Sequence, residues 1–284
     1  MEPTCKHEGE MIYYKTDEEI ELIRTSCMLV SKTLAHVAGL IKPGAIAKDI
    51  DTEAEQFIRD HGAVPGFKGL YGFPATLCFS INENVVHGIP SETMIIKEGD
   101  VVSVDCGVIN EDYYGDAAYT FAVGEVSEEV MQLLRATKTA LQLGINRAKV
   151  GNRIGDIGYA IQNFVERQHG YGVVRSLVGH GVGKNLHEDP QVPNFGRRGR
   201  GAIIRDGLVI AIEPMVNMGT RNVKQASDGW TIYSRDRKPS AHYEHTIAVR
   251  KGGTSILSDH KIIEKIIAQN PELRHVDIIE EAFV

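Results

Sequence analysis

Cysteine is scarce in this chain. Four stand among 284 residues, Cys5, Cys27, Cys78 and Cys106, and no two share a CxxC spacing. That pattern argues against a disulfide framework and fits reduced thiols in a cytosol. No apolar run approaches the roughly 20 residues of a membrane span. There is no basic run, and the net charge is −7, which argues against nucleic acid as the main partner. The opening Met1-Glu2-Pro3-Thr4 is polar, unlike a signal peptide. What is present is an ordinary apolar content of 42%, enough for one large domain or two small ones.

Residues 99–121 organise the rest. Val101-Val102-Ser103-Val104 is a strand-like run that Asp105 interrupts. Ile109-Asn110-Glu111-Asp112 carries turn chemistry, and a second run over 113–121 has Asp116 inside it. A hairpin folded about Asn110 and Glu111 sets Asp105 opposite Asp116. Carboxylates paired across strands repel, and a shared proton or a bound cation relieves them. Asp116 alone, after Gly115, reads as a solvated turn residue. Asp105 ends an apolar strand, where an unpaired carboxylate is costly.

Periodicity predicts four helices around this hairpin. The first, Asp17–Leu40, opens with Thr16-Asp17-Glu18-Glu19, a capping signature, and repeats Ile20, Ile23, Cys27, Val30, Leu34 and Val37 at helical spacing. The others cover about 47–61, 127–148 and 154–169. Residues 63–90 read as loop and short strands, with a strand over 78–82. There His87, before Gly88, has the ordinary reading of a turn residue. Residues 1–10 read as a flexible lead-in, in which Cys5 and His7 are too few for a metal site.

An internal repeat links the halves. Gly44, Asp49, Ile50, Phe57, His61 and Gly62 are echoed by Gly151, Asp156, Ile157, Phe164, His169 and Gly170, at an offset of 107 residues that becomes 108 at the histidine. Residues 99–105 are echoed by 207–213 at 108. Two similar α/β halves, roughly 12–125 and 126–255, then bring Asp105 and Glu213 to one site from opposite sides. The second half adds His180, with room beside its ring left by Gly179 and Gly181. It also adds a strand over 241–249 that puts His242, Glu244, Thr246 and Ala248 on one face. Asp105, Asp116, His180, Glu213 and Glu244 carry too many charges for one ion. They suit two divalent cations about 3.5–4 Å apart, bridged by shared carboxylates. Oxygen-rich ligation with one histidine favours Mn, Fe, Co or Zn over a structural zinc site. Taken singly, each residue has a plainer reading, as a loop histidine or a surface ion pair. Glu213 and Glu244 sit in apolar strands, which weakens it.

Segments 82–90, 99–116, 179–193, 212–217 and 240–246 closely resemble type I methionine aminopeptidases of the bacterial kind, and the resemblance covers about residues 11–255. It implies an α+β fold, the pita-bread (creatinase/aminopeptidase) architecture, with two pseudo-symmetric halves around a central antiparallel sheet. It implies two divalent metal ions (Mn, Co, Fe or Zn) on those five ligands, and removal of the N-terminal methionine from nascent proteins when the next residue is small. His87 and His187 match the family's two substrate-contacting histidines. On this reading a hydroxide held by the two cations attacks the first peptide bond, and Glu213 accepts and returns the proton. His187 donates to the carbonyl oxygen, and His87 contacts the peptide beyond the bond. Phe73, Cys78 and Trp230 flank the site and offer a soft slot for a thioether, while Phe73 and Trp230 read equally well as core aromatics. The chain departs from the family at Ala117 and Ala118, where Thr or Ser often follows the second Asp. It departs again at Ala211, where Thr commonly precedes Ile-Glu-Pro.

The resemblance further implies a cytoplasmic monomer whose partners are nascent N-termini, with transient ribosome contact and neither a nucleic-acid motif nor a membrane. The nearest rivals are proline peptidases, which share the fold and ligand set but carry a large N-terminal domain; here a lead-in of about ten residues precedes the expected catalytic domain. A type II enzyme would carry a helical insertion for which the spacing from His180 to Glu213 leaves no room. A non-catalytic module of this fold characteristically loses ligands, and all five stand here. The expected organisation is the lead-in over 1–10, one catalytic domain over 11–255, and a helix or tail over 256–284.

Overall fold

The computed structural model describes residues 6–7 and 10–283. Cys5 and most of the lead-in expected over 1–10 lie outside the described residues. Lys6–His7 and Glu10–Met11 form a short antiparallel pair. Helix α1 (Asp17–Leu40) starts at the capping box: the Glu19 N–H donates to Thr16 Oγ1, and the Thr16 N–H donates to the Glu19 carboxylate. Two otherwise orphaned donors of the first turn are thereby satisfied. Its stripe of Ile23, Cys27, Val30, Leu34 and Val37 is fully buried, and the helix packs on the hairpin of Val101–Asn110 and Tyr113–Val123.

Helices α2 (Ala47–Asp60), α3 (Glu128–Ile145) and α4 (Ile154–Gln162) complete the two halves. The helix expected over 154–169 is α-helical only to Gln162 and continues as a π turn, Asn163–Gln168. This is where the repeat offset grows from 107 to 108. A single inserted residue is absorbed as a π-bulge without ending the helix. Phe164 and His169 still meet, with ring centroids 4.6 Å apart, as Phe57 and His61 do at 4.3 Å.

The hairpin register differs from expectation. Asn110 pairs with Tyr113, so the loop is Glu111-Asp112, both at positive φ (48° and 64°). Asp105 therefore lies across from Ala118, and Asp116 across from Gly107. A tight two-residue loop shifts the pairing by two positions relative to a turn centred on 110/111. A shift of two keeps both carboxylates on one face, since the side-chain period is two. They are diagonal neighbours rather than a direct pair.

Leu77–Ile81 adds to the outer side of 101–110, with Cys78 beside Asp105. In the second half a five-stranded antiparallel sheet runs in the order Glu188–Val192, Gly179–Gly181, Leu208–Ile212, His245–Arg250, Gly253–Ile256. The strand expected over 241–249 is broken. Ser240–His242 pairs with Met215–Asn217 in another sheet, and only His245–Arg250 joins Leu208–Ile212. The break falls at Tyr243-Glu244 because the Glu244 N–H donates across to Ala118 of the first half, at 3.0 Å. Beyond these sheets, α5 (His260–Ile267) buries Ile263 and Ile267 and packs on α1, and Leu273–Arg274 pairs with Val123 and Ala122. Among the described residues, no helix is long and apolar enough to cross a membrane.

Candidate metal centre

A cavity of about 190 Å³ is lined by residues of both halves. The ten side chains singled out from the sequence all reach it: Asp105, Asp116, His180, Glu213 and Glu244, then His87 and His187, then Phe73, Cys78 and Trp230. Hydroxyls and an amide fix the backbone that carries the acids. Thr246 Oγ1 donates to the Asp116 carbonyl at 2.8 Å, and Asn194 Nδ2 to the Glu213 carbonyl at 2.9 Å. Thr120 Oγ1 lies 2.8 Å from Ser103 Oγ, donates to the His242 carbonyl at 2.6 Å, and accepts from the His242 N–H at 2.9 Å. These contacts stitch the hairpin to residues 240–246.

The His180 ring turns one nitrogen toward the acids. Its Nδ1 lies 3.0 Å from the Gly181 carbonyl. A carbonyl only accepts, so Nδ1 carries the proton and Nε2 presents its lone pair. That Nε2 is 3.7 Å from Asp116 Oδ2 and 3.5 Å from Glu213 Oε1. The flanking glycines serve the backbone rather than the ring. A Cβ on Gly179 would lie 2.4 Å from the Ala211 carbonyl oxygen, and one on Gly181 would lie 2.4 Å from that of Asp189.

Burial pushes the carboxyls of Asp105, Asp116, Glu213 and Glu244 up, and for Asp116 and Glu244 the neighbouring acids push further. Burial pushes the His180 imidazole down to about 3, keeping it neutral. Asp105 Oδ1, Asp116 Oδ1 and Glu244 Oε1 are buried without a hydrogen-bond partner among the described residues. Orphaned acceptors in so acidic a cage are costly. A cation answers both the crowding and the missing donors. Asp116, His180 and Glu244 offer donor atoms within 4.8 Å of one another. With Glu213 beside the same imidazole and Asp105 beside Asp116, the oxygen-rich set fits divalent metal.

His87 sits at φ 57°, a strained conformation for a non-glycine residue. Burial first, then the nearby His242 and His187, push it down to about 4. The His187 ring meets His180 edge-on at 4.4 Å and stacks with Tyr71 at 5.9 Å. His242, which alternation sets on the Glu244 face, carries no role in the family resemblance. Its Nε2 is 3.6 Å from Glu213 Oε2 and has no hydrogen-bond partner among the described residues. The alternation with Glu244 was the available signal. Phe67, Leu70 and Leu186 also line the cavity, and no sequence signal marked them. Phe73 meets Trp230 edge-to-face at 5.1 Å and packs with Phe67, Cys78 and Leu186. Core aromatic and cavity wall are thus the same residues.

Duplicated halves thus close on a cage of four acids and a neutral imidazole, a donor set suited to a divalent cation. The model of metallopeptidase family M24 matches residues 21–251. The methionine aminopeptidase of Clostridium acetobutylicum is 50% identical over 248 residues, covering 87% of this chain and 99% of that one. Methionine aminopeptidase 1 of Bacillus subtilis is 44% identical over the same shares. The crystal structure of the Thermotoga maritima methionine aminopeptidase superposes with a TM-score of 0.86 at 43% identity, covering 88% of this chain and all of that one. Prolidase from Pyrococcus furiosus, at 23% identity and a TM-score of 0.71 over 87% of this chain and 65% of that one, shares the fold. The chain belongs to metallopeptidase family M24, in its methionine aminopeptidase branch, and has the α+β pita-bread fold of that family.

Proposed function

We propose that this chain removes the N-terminal methionine from nascent polypeptides whose second residue is small, acting as a cytoplasmic monomer near the ribosome. The observation that carries the reading is the joining, in one cavity, of orphaned carboxylate oxygens with an apolar slot of Phe73, Cys78 and Trp230. Asp105, Asp116, His180, Glu213 and Glu244 would hold two divalent cations, Mn, Co, Fe or Zn. Bound there, such ions lower the pKa of water to about 7 and polarise a carbonyl.

The chain's own groups do the rest. The thioether enters the slot, where sulfur–aromatic contacts contribute about 0.3–1.5 kcal/mol. Glu213 takes a proton from the attacking water and delivers it to the departing amine as the C–N bond breaks and the water oxygen joins the carbonyl carbon. A His187 N–H donates to the carbonyl oxygen as charge builds on it. His87 holds the peptide beyond the scissile bond. Metal-stripped protein, reloaded with each cation, is tested on Met-Ala-Ser and Ala-Pro peptides. Metal-dependent methionine release is expected. Cleavage of the Xaa-Pro peptide alone moves the assignment to the proline peptidases, and no cleavage with any cation removes the enzymatic reading. Near-parental turnover by Glu213→Gln rules out its proton role.

A further inference from the structure

Glu244, like Glu213, lies outside any strand, in the two-residue gap between Ser240–His242 and His245–Arg250. Its backbone is therefore held by other means. The N–H reaches Ala118 in the first half. The carbonyl accepts from Nε2 of His260, at 3.0 Å. His260 is the first residue of α5, beyond residue 251, where the family match ends. We propose that His260 is a positioning residue of the metal centre, fixing the Glu244 peptide and through it the ligand carboxylate, so that the segment after residue 251 is part of the site's construction.

The ring is built into place. It is buried, stacked on His245 at 3.7 Å, and edge-on to Tyr119 at 5.0 Å. Since the carbonyl only accepts, Nε2 carries the proton. The base of the ring is anchored as well. The Asp259 N–H donates to Ser31 Oγ at 2.7 Å, while the Asp259 carboxylate caps α5 through the Lys261 N–H at 2.9 Å. Farther on, Asn270 Nδ2 donates to the Ala38 and Ile41 carbonyls at the end of α1, at 2.8 and 3.0 Å. His260 thus transmits the rigidity of α1 to a ligand that no strand ladder holds. Hydrogen bonds that orient a ligand from outside the coordination sphere are worth about 10–100-fold in metal affinity.

The inference rests on the metal-centre reading, and the experiment separates the two. Mn and Co are titrated calorimetrically into metal-stripped parent, Glu244→Gln, His260→Ala, His260→Gln and Ile267→Ala. The visible spectrum of each Co-loaded protein is recorded alongside. Expected are a loss of about 10–100-fold in affinity and an altered Co spectrum for His260→Ala, with recovery in His260→Gln, whose amide can still donate. Ile267→Ala removes a buried contact of the same helix; it should lower Tm while leaving affinity and spectrum unchanged. Parental binding by His260→Ala, or an equal loss in Ile267→Ala, overturns the positioning role. If Glu244→Gln alone loses affinity, the metal centre stands without His260; if neither does, both readings fall.

Discussion

The loop carrying His187 is latched to the start of the chain by a buried ion pair, and cutting it should be expensive. Lys15 Nζ contacts Glu188 Oε2, with side-chain exposures of 1% and 6%. The Lys15 N–H donates to the Gly207 carbonyl at 2.7 Å, and the Met11 N–H to Asp189 Oδ2 at 2.9 Å. Glu188→Ala leaves the Lys15 ammonium in the interior with, among the described residues, the Tyr13 carbonyl at 3.3 Å and the Tyr13 ring at 5.6 Å. Removing one partner of a buried pair costs about 3–5 kcal/mol. That is a large share of the roughly 5–15 kcal/mol that holds a typical protein folded. Most of the loss comes from the stranded charge rather than from a missing attraction. Lys15→Met with Glu188→Leu should therefore recover to within about 1–2 kcal/mol of the parent. Urea unfolding followed by circular dichroism, at fixed metal concentration, measures all three proteins. A loss under about 1 kcal/mol for Glu188→Ala, the typical worth of an exposed pair, would refute the latch, as would a double variant no better than the single one.

Three further outcomes are expected. Burial pushes His245 down to about 3. Between the ordinary 6.5 and that value the unfolded chain holds a proton that the folded one does not, so acid destabilises by up to about 1.4 kcal/mol per pH unit. The stability gap between parent and His245→Asn should narrow from pH 7 to pH 5, and a constant gap would count against it. The four caged carboxyls behave oppositely without metal. Their raised folded values contribute stability that is complete below about pH 4 and is lost as pH rises through those values. Metal must displace their protons, so the rise in Tm on adding Mn should be larger at pH 8 than at pH 6. Calorimetry in buffers of different ionisation heat should count released protons, and none would sink the argument. Finally, Trp230→Ala opens the slot's edge-to-face pair and should raise KM for Met-Ala-Ser about tenfold, the equivalent of about 1.4 kcal/mol of lost apolar contact, with metal affinity intact. An unchanged KM would return Trp230 to the core.

Several features were legible in the sequence because they are local or repeated. Helix α1 announces itself through Thr16, Glu19 and a stripe at helical spacing, interactions closed within one or two turns. The duplication shows because both halves must pack the same helix pair on the same strand. Acids in or just after apolar strands, Asp105 within Val101–Asn110 and Glu213 directly after Leu208–Ile212, stand out because burying a carboxylate needs a reason. Register was less accessible: alternation permits any even shift, and only the loop Glu111-Asp112 chose one. The sequence by itself determined helices α1 to α4, the two halves and the acid-rich set that the cavity collects, since each is written in residue type and spacing, whereas residues 256–284 read equally as helix or tail. Tertiary structure decided the break at Tyr243-Glu244, the approach of His242 to Glu213, the Phe67 and Leu186 walls, and the reach of His260 to Glu244. Those contacts join groups whose separation along the chain obeys no period, and only the packing of the two halves brings them together.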